Sequence, residues 1–124
     1  MKNIYYANTW DTLLNELYKM GSFYIDQQIK YDSFPAMRAS EEIKNILRFA
    51  EEARNNTATS ETFAPAWKYL FKKVEKEKTE LERIIFQNMD GKSDTDRYIC
   101  QNFHYNLFIV NSVLAIMLSL QNKD

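Results

Sequence analysis

The sequence predicts an all-α protein: an antiparallel four-helix bundle, folded as a single domain over residues 1–124. Three observations predict it. Only 2 Gly and 2 Pro occur in 124 residues, too few for the many tight turns of a sandwich, barrel or meander. Four segments carry apolar residues at a spacing near 3.6, separated by stretches marked by proline, glycine or polar runs. The last segment is apolar around well over half its circumference, which marks a helix central to the bundle or set in a dimer interface. With 45% hydrophobic residues and about two-thirds of the extended surface buried at this length, such a bundle needs no metal or disulfide staple.

The first helix is expected to start at Thr9, with Asp11 favourable to the dipole in its first turn. Its stripe is Trp10, Leu13, Leu14, Leu17, Met20, Tyr24 and Ile25. Gly21 lies within that stripe and reads as a close helix crossing. Phe34-Pro35 closes the segment, because the residue before proline avoids the helical region. The second helix runs from about Pro35 or Ser40 to Arg54 and buries Met37, Ala39, Ile43, Ile46, Leu47, Ala50 and Ala53. A polar connector, 55–60, follows. The third helix starts between Ser60 and Pro65, proline being suited to a first turn. It buries Trp67, Leu70, Phe71, Val74, Leu81, Ile84, Ile85 and Met89, with a gap at Glu77 and Lys78, and stops at Asp90-Gly91. The fourth opens at Ser93, with Asp96 three residues on as a weak capping box, and reads helical to about Leu120. Ile99, Phe103, Leu107, Val110, Leu114 and Met117 share one face, and Ile109, Val113 and Ile116 widen it.

Charge and cysteine content narrow the function classes. A net charge of −1 supplies no global field for nucleic acid or an acidic membrane. One Cys rules out a disulfide framework and a Cys-based zinc cluster. The first residues lack the apolar run and cleavage site of a secretory signal. From Leu107 to Leu118 only Asn111 and Ser112 are polar, but that run is shorter than the roughly 20 apolar residues of a bilayer span. Extending it brings in polar side chains on both sides, so a core helix, no membrane partner and a cytoplasmic location are expected.

The one catalytic pairing in the sequence lies on the fourth helix. His104 is the only histidine, and Arg97 stands seven residues before it, close to two turns, so both project from one line of the helix. Asn111 continues that line. Reckoned against the face just described, the line borders the apolar side. A histidine that moves a proton near neutral pH, beside an arginine that holds a phosphate, suits phosphodiester cleavage.

The spacing Arg97, then Tyr98-Ile99-Cys100-Gln101-Asn102-Phe103, then His104 resembles the Arg-x(4–6)-His motif of HEPN domains. The resemblance covers eight of 124 residues. It implies a small all-helical, metal-independent RNase in which two protomers bring their motif copies together near the start of the last bundle helix. Tyr98 departs from the polar residue that often follows the arginine in that family.

Cys100 and His104 have the four-residue spacing of helical metal ligands, yet no second His or Cys exists to complete a site, and no Glu-x-x-His pair is present. No metal is therefore expected, and Cys100 reads as a small buried hydrophobe. With two glycines there is no phosphate loop, dinucleotide fingerprint or nucleophile elbow, so no cofactor is expected. Lys68, Lys72, Lys76 and Arg83 fall in one sector of the third helix, a local basic stripe able to meet phosphates or an acidic partner, although Glu75, Glu80 and Glu82 flank it as on an ordinary solvated face. Eighteen aromatic residues, 15% of the chain, exceed what one small core holds. Tyrosines such as Tyr69 and Tyr105 are thus expected at the surface, where they favour protein contacts.

The function expected from these features is a small helical protein-interaction module without catalysis of its own: an inhibitor, an immunity or adaptor protein, or a small subunit of a larger complex. Its partner is another protein, with a homodimer expected and RNA as second choice. The chain's Asn-, Lys- and Tyr-rich usage looks like an AT-rich prokaryotic or phage-type genome. The alternative is the homodimeric HEPN-like RNase working through Arg97 and His104.

Overall fold

The computed structural model describes residues 6–57, 59–89 and 93–121. They form α1 (Tyr6–Tyr31), α2 (Phe34–Asn55), α3 (Ser60–Asn88) and α4 (Asp94–Gln121), with no strand among the described residues. The arrangement is the expected antiparallel four-helix bundle.

Local chemistry sets the helix boundaries. Between α1 and α2, Asp32 takes a left-handed backbone, φ 48°, which its short polar side chain tolerates better than a branched one would. Ser33 then caps α2: its hydroxyl accepts the Ala36 N–H at 3.2 Å, and Pro35 sits in the first turn, where its missing N–H costs nothing. Ser33 was not anticipated as the cap, and its position extends α2 to Phe34. In α3 the Thr62 hydroxyl accepts the Thr59 N–H at 2.9 Å. Because that helix begins at Ser60, Pro65 lies beyond the first turn, where the ring forfeits one backbone hydrogen bond. Ser93 caps α4 as expected, its hydroxyl accepting the Asp96 N–H at 3.1 Å. The expected glycine stop at Gly91 lies outside the described residues.

One start differs. Among the described residues helix α1 spans Tyr6–Tyr31, and Thr9 lies inside it, only 8% exposed. With helical residues before it, Thr9 is not at the boundary where a cap acts.

The core is built from Trp10, Leu13, Leu17, Ile43, Leu70, Ile109, Val110, Val113 and Met117, all essentially sealed from solvent. At one end of the bundle Trp10 meets Phe63 and Trp67 edge-on, with centroids at 5.7 and 5.1 Å, while Phe63 and Trp67 stack at 5.5 Å. Their polar atoms are met as well: Trp10 Nε1 donates to Thr57 Oγ1 at 3.1 Å and Trp67 Nε1 to Gln121 Oε1 at 3.2 Å. At the opposite end Phe34 stacks on Tyr98 at 5.7 Å, and the Cys100 thiol donates to the Ile85 carbonyl at 3.6 Å.

The packing is lopsided. Helix α4 lies along α3 and crosses diagonally against α2, whereas it meets α1 only lightly. The second half of α1 consequently leaves Phe23, Ile29 and Tyr31 more than half exposed, and Ile25, expected in the core stripe, is 39% exposed. Met89, likewise expected to be buried, is 64% exposed because α3 has ended beneath it.

Gly21 is buried between α1 and α2, yet a Cβ built there would meet Ile43 Cγ2 at 3.5 Å, an ordinary van der Waals contact. The crossing therefore does not require glycine. Gly21→Ala should raise the unfolding free energy by about 0.5–1 kcal/mol through helix propensity, whereas Ile43→Ala should lower it by about 3 kcal/mol through a core cavity. Urea denaturation of both variants checks the pair, and a destabilised Gly21→Ala would show the crossing to be tighter than described.

Candidate functional site

Helix α4 buries Asn102, Asn106, Ile109, Val110, Val113, Leu114, Met117 and Leu120. Ile99, Phe103 and Leu107, expected on the buried face, are only half-buried. The helix is thus rotated by roughly one residue position from the arrangement that apolarity alone would choose. The rotation brings Asn102 and Asn106 inside and turns the opposite side of α4 to solvent.

That outer side is where the expected catalytic pair stands. Arg97, His104 and Asn111 are all exposed, on a line facing away from the core. The line does not border the buried face, as the sequence suggested, so a single chain gives His104 no desolvated surroundings. The Arg97 guanidinium lies 3.9 Å from the Asp94 carboxylate, with 71% of its side chain exposed.

Around this line the surface is unusual in composition. From Tyr98 to Gln121 no Asp, Glu, Lys or Arg occurs, in a chain that is 27% charged overall. Phe108 is 63% exposed, Tyr105 43% and Leu118 42%. Tyr98 and Tyr105 continue the surface towards α1 and α2: Tyr98 stacks on Phe34, and the Tyr24 hydroxyl is pushed up by its burial and by nearby Tyr105. An aromatic, uncharged surface thus runs across α4 onto the neighbouring helices. By length and composition α4 is also the one helix among the described residues that could cross a membrane, although its inner side packs against three other helices.

The expected basic stripe lies elsewhere. Lys68, Lys72, Lys76 and Arg83 are exposed on the side of α3 opposite the core. Arg83 pairs with Glu80, which holds that carboxyl below its usual range, and also donates to Gln87 Oε1 at 3.1 Å. Tyr69 is half covered by Lys73, whose ammonium lies 5.4 Å from its ring and 4.7 Å from that of Phe49. The structure does not bring this stripe together with Arg97 and His104.

A second polar locus was not anticipated. Glu42, on α2, is 6% exposed. Loss of hydration, with Glu77 of α3 beside it, pushes its carboxyl up to about 8. The gap at Glu77 in the apolar stripe of α3 is where that helix meets Glu42. Asn102 donates from Nδ2 to the Tyr98 carbonyl at 2.8 Å, but its Oδ1, together with Asn106 Oδ1 and Glu42 Oε1, is buried with no hydrogen-bond partner. Among the described residues no group of three or more His, Cys, Asp or Glu side chains is arranged to hold a metal ion.

No family model, curated protein or solved structure matches this chain. The likeness to HEPN domains extends no further than the eight residues from Arg97 to His104.

The sign of the Glu42 effect is fixed by its raised folded-state value. Folding takes up a proton there between the ordinary carboxylate range and about 8, so this group's contribution to stability declines as pH rises through that window and levels off above it. Glu42→Gln should remove the decline. At pH 8 the variant should melt roughly 5 °C above the parent, with the difference closing near pH 4; thermal melts across that range measure it.

Proposed function

We propose that this chain is a small helical protein-interaction module with no catalysis of its own, and that the outer face of α4 is the surface it presents to another protein. One observation carries the reading: α4 keeps a solvent-facing side from which every formal charge is missing between Tyr98 and Gln121. Solvated helix faces normally carry charge, as α3 does. Aromatic side chains with few charges are the composition of interface centres, where tyrosine and phenylalanine contribute rigid contact area. Exposed Phe108, Tyr105 and Tyr98 fit that role.

The simplest occupant is a second copy. A two-fold axis across α4 lays the same uncharged surface on itself, which removes apolar area from water without leaving any carboxylate or ammonium buried and unpaired. Light scattering behind a sizing column should give the mass of two chains, and Phe108→Glu should reduce it to one. Far-ultraviolet dichroism and melting temperature should change little, because the Phe108 side chain lies outside the core. A Phe108→Glu variant that remains dimeric would remove α4 as the interface.

A second reading is favoured by where Arg97 and His104 stand. Both project from the face that a two-fold axis would double, so a dimer formed there would bring two copies of the pair near each other. This is the arrangement a HEPN-like RNase requires, and it would supply the partial desolvation that a single chain withholds. Under this reading His104→Ala abolishes RNA cleavage while leaving mass and melting temperature unchanged. A wild-type dimer that leaves RNA intact at high protein concentration leaves interaction as the function.

A further inference from the structure

His104 stands exposed in the middle of the outer line of α4, and it is the chain's one histidine. Histidine is the side chain that ordinarily gains and loses charge between pH 5 and 8. The surface around it offers little to balance a positive charge. On its own helix no Asp or Glu occurs from Tyr98 to Gln121. Arg97, two turns earlier, is a second positive group, and its guanidinium lies 3.9 Å from the Asp94 carboxylate of the same chain. Towards α1 the titratable neighbours are the phenols of Tyr24 and Tyr105. Towards α3, the Ile85 carbonyl accepts from the Cys100 thiol. The edge of α3 that borders α4 at Lys68 and Phe71, beside Leu118, continues by helical spacing to Lys78 and Glu82, one of each sign.

A two-fold axis across α4 sets each His104 against a copy of this same surface. Whichever way the two helices run, the partner brings a further arginine and a further histidine, and no carboxylate from its own uncharged stretch. A neutral imidazole suits such a place, among Tyr105, Phe108 and Asn111, since it can donate one hydrogen bond and accept another. A charged one loses hydration there without gaining a counter-ion, and it faces other cations. In a single chain His104 is exposed, and water solvates either form.

We propose that His104 puts the pairing of two α4 faces under the control of pH: the dimer holds while the imidazoles are neutral and separates into folded single chains on acidification. The proposal rests on the reading of α4 as a self-pairing surface. Its direction follows from linkage, because the single chain takes up protons at His104 more readily than the dimer does, so added protons draw the equilibrium towards single chains. Two histidines per dimer make the response steep. The buried Glu42 carboxyl, raised to about 8, belongs to α2 and lies beside Glu77 of α3, away from the outer face of α4. Acidification protonates it, which favours the folded chain, so separation at low pH is distinct from unfolding.

The test is sedimentation velocity of the full chain over a range of loadings, at pH 7.5 and pH 5.5 and constant ionic strength. The dimer dissociation constant should rise about tenfold or more on acidification, with far-ultraviolet dichroism unchanged. His104→Gln, polar and never charged, should pair at both pH values with nearly equal constants. His104→Lys, charged at both, should be a single chain at pH 7.5 under loadings that pair the parent. Both substitutions fall on an exposed position, and dichroism checks that each variant folds. A parent dimer with the same constant at both pH values, a pH dependence that persists in His104→Gln, or a His104→Lys variant that pairs as tightly as the parent would each overturn the proposal. A parent that stays a single chain at every loading and pH removes the self-pairing reading and this proposal with it, whereas a dimer indifferent to pH removes only the role of His104.

Discussion

Two helical hairpins, α1–α2 and α3–α4, join into one bundle chiefly where α2 lies against α3 and α4, and Trp10 adds a contact to Phe63 and Trp67 at one end. Each hairpin is a local product of sequence, joined by a short turn and sealed by its own apolar stripe. Nothing local dictates how one hairpin sits on the other. The packing of α2 on α3 and α4 does so along the bundle, and at one end three rings add to it, the indole hydrogen bonds to Thr57 and Gln121 fixing their orientation by linking the first helix to the end of the second and the third helix to the end of the fourth. Each indole hydrogen bond holds its ring within its own hairpin, so the two hairpins present oriented edges and faces where Trp10 meets Phe63 and Trp67.

The fourth helix therefore serves two surfaces. Its inner side closes the core, and its outer side is conspicuous for what it lacks. In most bundles the two demands separate cleanly, apolar within and charged without. Here the outer side is nearly as free of charge as the inner one. The polar groups that the core does contain are placed inside, at the α2–α3–α4 junction. This inversion, with carboxyl and amides within and aromatic rings without, is where local sequence preference and the fold disagree. Such disagreements mark the sites at which something other than stability shaped the chain.

Much of the fold was legible because the amphipathic periods are strong and the punctuation at Phe34-Pro35, Ser93 and the 55–60 connector is explicit. The face of α4 was legible only approximately. A wheel drawn from hydrophobicity alone weights Ile99 and Leu107 towards the core and expels Asn102 and Asn106, yet both asparagines are buried, Asn102 donating its amide back to the Tyr98 carbonyl of its own helix. Glu42 was invisible for the same reason: on a helix with several other glutamates, nothing in the sequence distinguishes the one that turns inward. The gap at Glu77 was the only trace of it, a charged position where the stripe of α3 should have continued. As for Arg97 and His104, the spacing put them on one line of the helix, but which side of the helix that line occupies depends on tertiary packing, which spacing does not encode.

The light contact between α1 and α4 has a consequence for how the molecule breathes. A segment opens locally at a free energy set by the buried area that holds it down, and opening exposes its amides to exchange with solvent. The half of α1 from Phe23 to Tyr31 rests mainly on α2 and leaves most of its apolar side chains in water, so it forms the weakest cooperative unit of the bundle, while Leu13 to Leu17 share the protection of the core. Amides at the far end of α1 will exchange through small openings that leave the other three helices intact. The surface that continues α4 past Tyr105 and Tyr98 is thus bordered by the most compliant element of the fold, able to adjust to whatever packs against it without disturbing the ring cluster at the opposite end.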